Sequence, residues 1–169
     1  MSLPEVVRWT IAALLTAVLA VAAVTDVRER RIPNWTVLAC LGLFVAWAFV
    51  HPLSWDLWAL GAGVLAFAVT FGLYSFGLVG AGDSKLFAAV ALFAGIGQII
   101  PLTLATAIIG GVVALAGFAR APTRALVMLK MRGKGDFGRG VPYGVAIAAG
   151  TVLVIWAGLL HLGNVLAMA

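Results

Sequence analysis

Long apolar runs separated by short polar segments dominate the chain. Because a helix that crosses a membrane needs about 20 mostly apolar residues, this pattern predicts six membrane-spanning helices. They cover residues 6–25, 34–50, 57–76, 84–99, 101–119 and 141–162. The expected fold is an all-α membrane protein, a polytopic helical bundle in which residues 1–169 form a single domain.

The fourth and fifth predicted helices come from one apolar stretch, 84–119. As a single helix this stretch would be about 54 Å long, whereas the apolar core of a bilayer is roughly 30 Å thick. Gly95, Gly97 and Pro101 interrupt it, and glycine and proline disfavour a continuous helix. We therefore expect two spans here.

The composition agrees with membrane insertion. Hydrophobic residues make up 64% of the chain and charged residues 10%, whereas soluble domains are roughly 45–50% apolar. The stretch Trp9–Val24 follows a poorly basic segment, so we expect a retained first helix rather than a signal peptide. Cys40 is the only cysteine, which excludes internal disulfides and CxxC metal or redox sites.

Basic residues orient the predicted helices. If the loops after helices one, three and five share a side, ten of the eleven Lys and Arg residues lie there, with only Arg8 opposite. The positive-inside rule makes that side cytoplasmic and places both termini outside a bacterial inner membrane. The net charge of +5 then reflects topology, with no nucleic-acid partner, and the basic segment 120–139 is expected to meet anionic lipid. Tryptophans fit aromatic belts at the outer face (Trp9, Trp55 and Trp58) and the inner face (Trp35).

Two of the six acidic residues, Asp26 and Asp83, lie at the predicted cytoplasmic ends of apolar helices. A carboxylate at this depth is costly unless it faces protein or a water-filled cavity. From the residues alone two interpretations remain open. Asp83 could cap a helix while Asp26 pairs with a neighbouring arginine, or the two could form a catalytic pair. Asp56, in contrast, is expected to cap the third helix.

A pair of adjacent carboxyl groups suits peptide hydrolysis without a metal or another cofactor. Close together, the two groups share one proton. The ionised carboxylate takes a proton from water as the water attacks the carbonyl carbon, and the protonated partner donates to the carbonyl oxygen. The sequence does not assign these two roles to particular aspartates.

Both aspartates lie in motifs, Asp26-Val-Arg-Glu-Arg-Arg-Ile-Pro-Asn34 and Gly80-Ala-Gly-Asp-Ser-Lys-Leu86. These resemble the signature motifs of type IV prepilin peptidases, which are GxGD aspartic peptidases, and Val141-Pro-Tyr-Gly144 resembles a third family segment. The resemblance implies that Asp26 and Asp83 are the catalytic pair. It also implies that substrate-binding or supporting residues are Gly80, Gly82, Lys85, Pro33 and Asn34. Lys85 could equally extend to the membrane interface.

The resemblance further implies removal of a short leader from prepilins or pseudopilins on the cytoplasmic side, with the bilayer and the pilus-assembly machinery as further partners. Family members that also N-methylate the mature pilin resemble this chain plus an inserted cytoplasmic region with cysteine pairs, whereas the first loop here is short and has no cysteine pair. For this reason we expect no N-methyltransferase region, and a similarity to the short branch that serves Flp-type (tight-adherence) pili. Two alternatives are a proton-coupled transporter or channel component and an inactive pilus-assembly scaffold.

Overall fold

Helices connected by short segments make up the described part of the chain. The computed structural model describes residues 3–50, 53–120 and 142–167. Its helices are α1 (Leu3–Glu29), α2 (Asn34–Ala48), α3 (Leu53–Ser75), α4 (Ala81–Arg120) and α5 (Tyr143–Ala167). The prediction of an all-α fold is confirmed for these residues. The basic segment 120–139 lies outside them, apart from Arg120.

Helix α4 is the centre of the bundle. It contacts α2, α3 and α5, while α1 packs against α2 and α5. The first half of α4 is buried on every side from Ala89 to Gly95, as expected for a helix that is apolar all round. Phe93 of this segment packs against Phe44 and Trp47 of α2, at ring-centroid distances of 5.6 and 5.9 Å. The aromatic cluster fixes α2 against α4.

Helix α4 bends at Gly95. The backbone angles of Gly95 are φ 62° and ψ −179°, a combination that essentially only glycine adopts. Phe87 and Ala107, on opposite sides of Gly95, line the same cavity, although a straight helix would separate them by about 30 Å. The predicted interruption is therefore confirmed at Gly95, whereas Gly97 and Pro101 lie within helical backbone.

Among the described residues, four helical segments are long and apolar enough to cross a membrane. They are Leu3–Glu29, Leu57–Ser75, Ala81–Gly117 and Tyr143–Leu160. Helix α2 is apolar but has only 15 residues, a length of about 22 Å. Six separate spans do not emerge, because the predicted spans 84–99 and 101–119 both lie within α4.

Asp56 and Trp9 do not have the surroundings expected from the sequence. Helix α3 begins at Leu53, so Asp56 lies inside its first turn and the prediction that Asp56 is the N-cap was wrong. Trp9 packs against Trp156 of α5 at a ring-centroid distance of 5.5 Å. The indole N–H of Trp156 donates to Thr16 Oγ1 at 3.0 Å. Trp9 is therefore part of the contact between α1 and α5, and the two aromatic belts stay a prediction.

Candidate active site

Asp26 lies in the last turn of α1 and is 7% exposed. The backbone N–H of Gly144 donates to Asp26 Oδ2 at 2.7 Å. Gly144 belongs to the first turn of α5, where amide groups have no partner within the helix and the helix dipole favours a negative charge. The hydrogen bond therefore satisfies two groups at once. The N–H at the start of α5 has no acceptor within its own helix, and the buried carboxyl group of Asp26 needs a donor.

Asp83 lies in the first turn of α4 and is 8% exposed. Its carboxyl group lies against the backbone of Gly80. A Cβ atom placed on Gly80 would lie 2.8 Å from Asp83 Oδ2, closer than real side chains approach. The absence of a side chain at position 80 therefore lets the backbone come close to this carboxyl group.

The two aspartates form one site. Gly144 binds Asp26, and the neighbouring residue Tyr143 lines the same cavity as Asp83. The segments that carry the two aspartates also touch, because a Cβ atom on Gly82 would lie only 3.1 Å from Cβ of Ile32. Ile32 belongs to the connection between α1 and α2. The pair that the sequence placed at one membrane face thus comes together between α1, α4 and the start of α5.

The start of α2, with Pro33 and Asn34, lies beside Lys85 of α4. Lys85 Nζ donates to Asn34 Oδ1 at 3.5 Å, in an exposed position. Pro33 is the N-cap of α2, and its carbonyl oxygen accepts from Thr36 N at 3.1 Å and from Thr36 Oγ1 at 2.7 Å. These contacts fix the entrance of α2 beside the segment that contains Asp83.

Arg30 lies next to Asp26 in the structure as well as in the sequence. Its backbone N–H donates to the carbonyl oxygen of Asp26 at 3.0 Å, and its φ of 53° ends the helix in a left-handed conformation. The positive charge of Arg30 also acts on the Asp26 carboxyl group. The two interpretations of Asp26 are therefore compatible: it can lie beside an arginine and also form a site with Asp83.

Ser84 is a site-supporting residue that the sequence reasoning missed. Its side chain is 2% exposed, and its hydroxyl donates to the carbonyl oxygens of Thr70 and Gly80, each at 3.1 Å. It thereby attaches the start of α4 to α3. The position directly after Asp83 was the only signal in the sequence. Sequence reasoning likewise missed the role of Gly144, because the resemblance of segment 141–144 to the family assigns no contact to it.

A cavity of about 510 Å³ adjoins Asp83. Its walls come from α3, from both halves of α4 and from the first turns of α5. Apart from Asp83, the side chains that line it are apolar, hydroxyl-bearing or aromatic, among them Leu65, Val69, Phe87, Ile100, Leu104 and Ile147. The catalytic candidate therefore lies at the wall of an apolar cavity.

Within residues 3–50, 53–120 and 142–167, no three His, Cys, Asp or Glu side chains are grouped so that they could hold a metal ion. The site that the described residues do form contains two buried carboxyl groups, and that of Asp26 accepts a hydrogen bond from the backbone N–H of Gly144.

Fold and site together define a multi-pass membrane protein with paired buried carboxyl groups. The type IV leader peptidase family matches residues 13–115, a range that contains both aspartates. The chain belongs to this family. It is also similar to the prepilin leader peptidase/N-methyltransferase of Bacillus subtilis (strain 168), with 31% identity over 144 residues, which are 84% of this chain and 53% of that protein. The chain thus spans about half the length of this relative, and no solved structure matches it significantly.

Proposed function

We propose that the chain is a membrane aspartic endopeptidase that removes the leader peptide from type IV prepilins or pseudopilins. The observation that carries this proposal is that Asp26 and Asp83, both buried, lie at the first turn of α5, where Gly144 binds Asp26 and Tyr143 lines the cavity beside Asp83. Membership of the type IV leader peptidase family supports the choice of substrate. Hydrolysis would take place at the membrane face where the ends of α1 and α4 meet.

The proposed reaction uses both carboxyl groups and one water molecule. One carboxylate takes a proton from the water as its oxygen attacks the carbonyl carbon of the scissile bond, and the other carboxyl group donates its proton to the carbonyl oxygen. The tetrahedral intermediate then breaks its C–N bond while one of its hydroxyl groups returns a proton to the second carboxylate, and the leaving amine takes up the proton that the first carboxylate removed from water. The hydrogen bond from Gly144 holds the Asp26 side chain in place meanwhile, and the backbone of Gly80 packs against the Asp83 carboxyl group.

The test is cleavage of a prepilin by purified protein in detergent, followed as a shift on a gel. Asp26→Asn and Asp83→Asn should each abolish leader removal, because an amide can neither take up nor donate the required proton. Glu29→Gln is the matched control, since Glu29 is an exposed carboxylate in the same segment as Asp26. Undiminished cleavage by either aspartate variant would refute the assignment.

We further propose that the substrate is an Flp-type prepilin and that the chain does not methylate the product. The support is the short connection between α1 and α2, which runs from Glu29 to Asn34, together with the presence of a single cysteine, Cys40. Mass spectrometry of the matured pilin, after incubation with a methyl donor, should show the leader removed and no added methyl group. A methylated N-terminus would contradict this part of the proposal.

We also propose six membrane crossings, with both termini outside and the two aspartates at the cytoplasmic face. The bend at Gly95 supports this, because the second half of α4 returns toward the site. A Cβ atom on Gly110 would lie 3.4 Å from Tyr143 Cε1, and Tyr143 directly precedes Gly144, which binds Asp26. Single cysteines at positions 30, 56 and 130, introduced after Cys40 is replaced by alanine, should be labelled from the inner, outer and inner side. Labelling of positions 30 and 130 from opposite sides would exclude this topology.

A further inference from the structure

The cavity beside Asp83 continues away from the carboxyl group as a groove between two helices. One wall is α3, from Leu73 near the Asp83 end to Leu65 two turns away, a distance of about 12 Å. Ser84 binds the carbonyl of Thr70, whereas Gly63, earlier in α3, lies against Leu92, so the Leu73 end of this wall is the one at Asp83. The other wall is the second half of α4, with Ile100 and Leu104. We call this space the α3–α4 groove.

The walls of the α3–α4 groove present carbon atoms to an occupant. Three threonines line it: the hydroxyl groups of Thr70 and Thr103 donate to carbonyl oxygens of their own helices, those of Ala66 and Ile99, each at 2.7 Å, and Thr106 Oγ1 is buried within the protein. The volume of about 510 Å³ falls in the range of ligand-binding pockets, roughly 300–1,000 Å³. An occupant of the groove should therefore be apolar and should make few hydrogen bonds with side chains.

The groove is open along its side. Val69 is 55% exposed and Leu104 is 57% exposed, and they lie on the two opposite walls. Both walls belong to helices that are long and apolar enough to cross a membrane. A helix within the bilayer can therefore reach the groove laterally, without first passing through water, and can lie along it with one end at Asp83.

We propose that the α3–α4 groove binds the apolar segment of the substrate polypeptide that directly adjoins the scissile peptide bond. This inference rests on the proposed peptidase function. The groove ends at Asp83, so a polypeptide cleaved there would have its neighbouring segment in the groove. The mode of binding is that of an apolar helix in an apolar groove. About two turns of helix would lie between Leu73 and Leu65, and the backbone at the end of that helix would reach Asp83.

The test fills the groove from either wall. Val69→Trp and Leu104→Trp are assayed in full-length protein in lipid nanodiscs, with a prepilin as the probe. Each should lower kcat/KM by at least about tenfold, mainly through KM, because the added indole occupies space that the substrate needs. Val112→Trp is the matched control: Val112 is equally exposed on α4 but does not line the groove. It should stay within about twofold of wild type.

The outcomes separate this inference from the proposed function. If the wild-type protein does not cleave the prepilin, the proposed function fails, and the inference fails with it. If the wild type cleaves and both groove variants stay within about twofold of it, the peptidase function stands and the inference is overturned. If a tryptophan variant does not fold, a photoreactive residue at position 104 in the Asp26→Asn protein decides. An adduct with the prepilin supports the inference, and adducts with lipid alone overturn it.

Discussion

The backbone N–H of Gly144 donates to Asp26 Oδ2 at 2.7 Å, across 118 positions of the sequence. The two helices could not come this close with a side chain at position 144. A Cβ atom there would lie 2.9 Å from Asp26 Oδ2 and 3.0 Å from Asp26 Cβ. The first turn of α5 thus fixes where the Asp26 carboxyl group stands relative to Asp83.

Gly144→Ala should lower the proposed peptidase activity far more than it lowers the stability of the fold. The added methyl group displaces the Asp26 carboxyl group, and a misplacement of about 1 Å can cost about 100-fold in rate. We expect kcat to fall by about that factor with a small change in KM. Gly158→Ala is the control on the same helix, because a Cβ atom there meets nothing within 4 Å. Equal activity of the two variants, measured by prepilin cleavage, would contradict the positioning role of Gly144.

The position of Asp26 could be predicted from sequence, but its partner Gly144 could not. Charge distribution and helix length placed Asp26 and Asp83 at one face, because both depend only on the order of polar and apolar residues. The bond to Gly144 depends on how α5 docks against α1, a tertiary contact that leaves no periodic signal in either helix. The same reason explains why Ser84 was missed: its bond to Thr70 depends on the packing of α3 against α4.

Ser84→Ala should lower stability by about 0.5–1.5 kcal/mol, the usual net value of one hydrogen bond. The reason is the loss of the buried hydroxyl that joins the start of α4 to the carbonyl of Thr70. Thermal unfolding in detergent measures this as a lower Tm. Ser75→Ala is the comparison: Ser75 is exposed, and its hydroxyl donates only within its own helix, to Phe71 O at 3.0 Å. If the two variants unfold at the same temperature, Ser84 does not connect the helices as described.

Lys85→Met should keep most of the activity. The contact from Lys85 Nζ to Asn34 Oδ1 is exposed and, at 3.5 Å, at the limit of a hydrogen bond. Its loss should cost no more than about 1 kcal/mol, equivalent to about fivefold in kcat/KM. Asn34→Ala should have a similar effect, and the double variant should be little worse than either, since both remove the same contact. A loss of more than about 100-fold on Lys85→Met alone would instead place the ammonium group at the reacting atoms.

Two neighbouring glycines in α4, Gly95 and Gly97, should respond differently to substitution by alanine. Gly95 has a φ of 62° and a ψ of −179°, whereas Gly97 lies in helical backbone with open space at its Cβ position. Gly95→Ala should therefore destabilise the protein by about 1–3 kcal/mol, because a side chain strains this conformation. Gly97→Ala should be neutral, or should stabilise by up to about 1 kcal/mol, because alanine favours helix.

Thermal unfolding of the two glycine variants, side by side in the same detergent, checks this difference. The Gly95→Ala protein should also lose cleavage activity, since the bend brings the second half of α4 back to line the cavity beside Asp83. A straighter α4 would open that cavity and move Gly110 away from Tyr143. Tyr143 directly precedes Gly144, which binds Asp26. Equal Tm values for the two variants would show that α4 does not need a glycine at position 95 to turn.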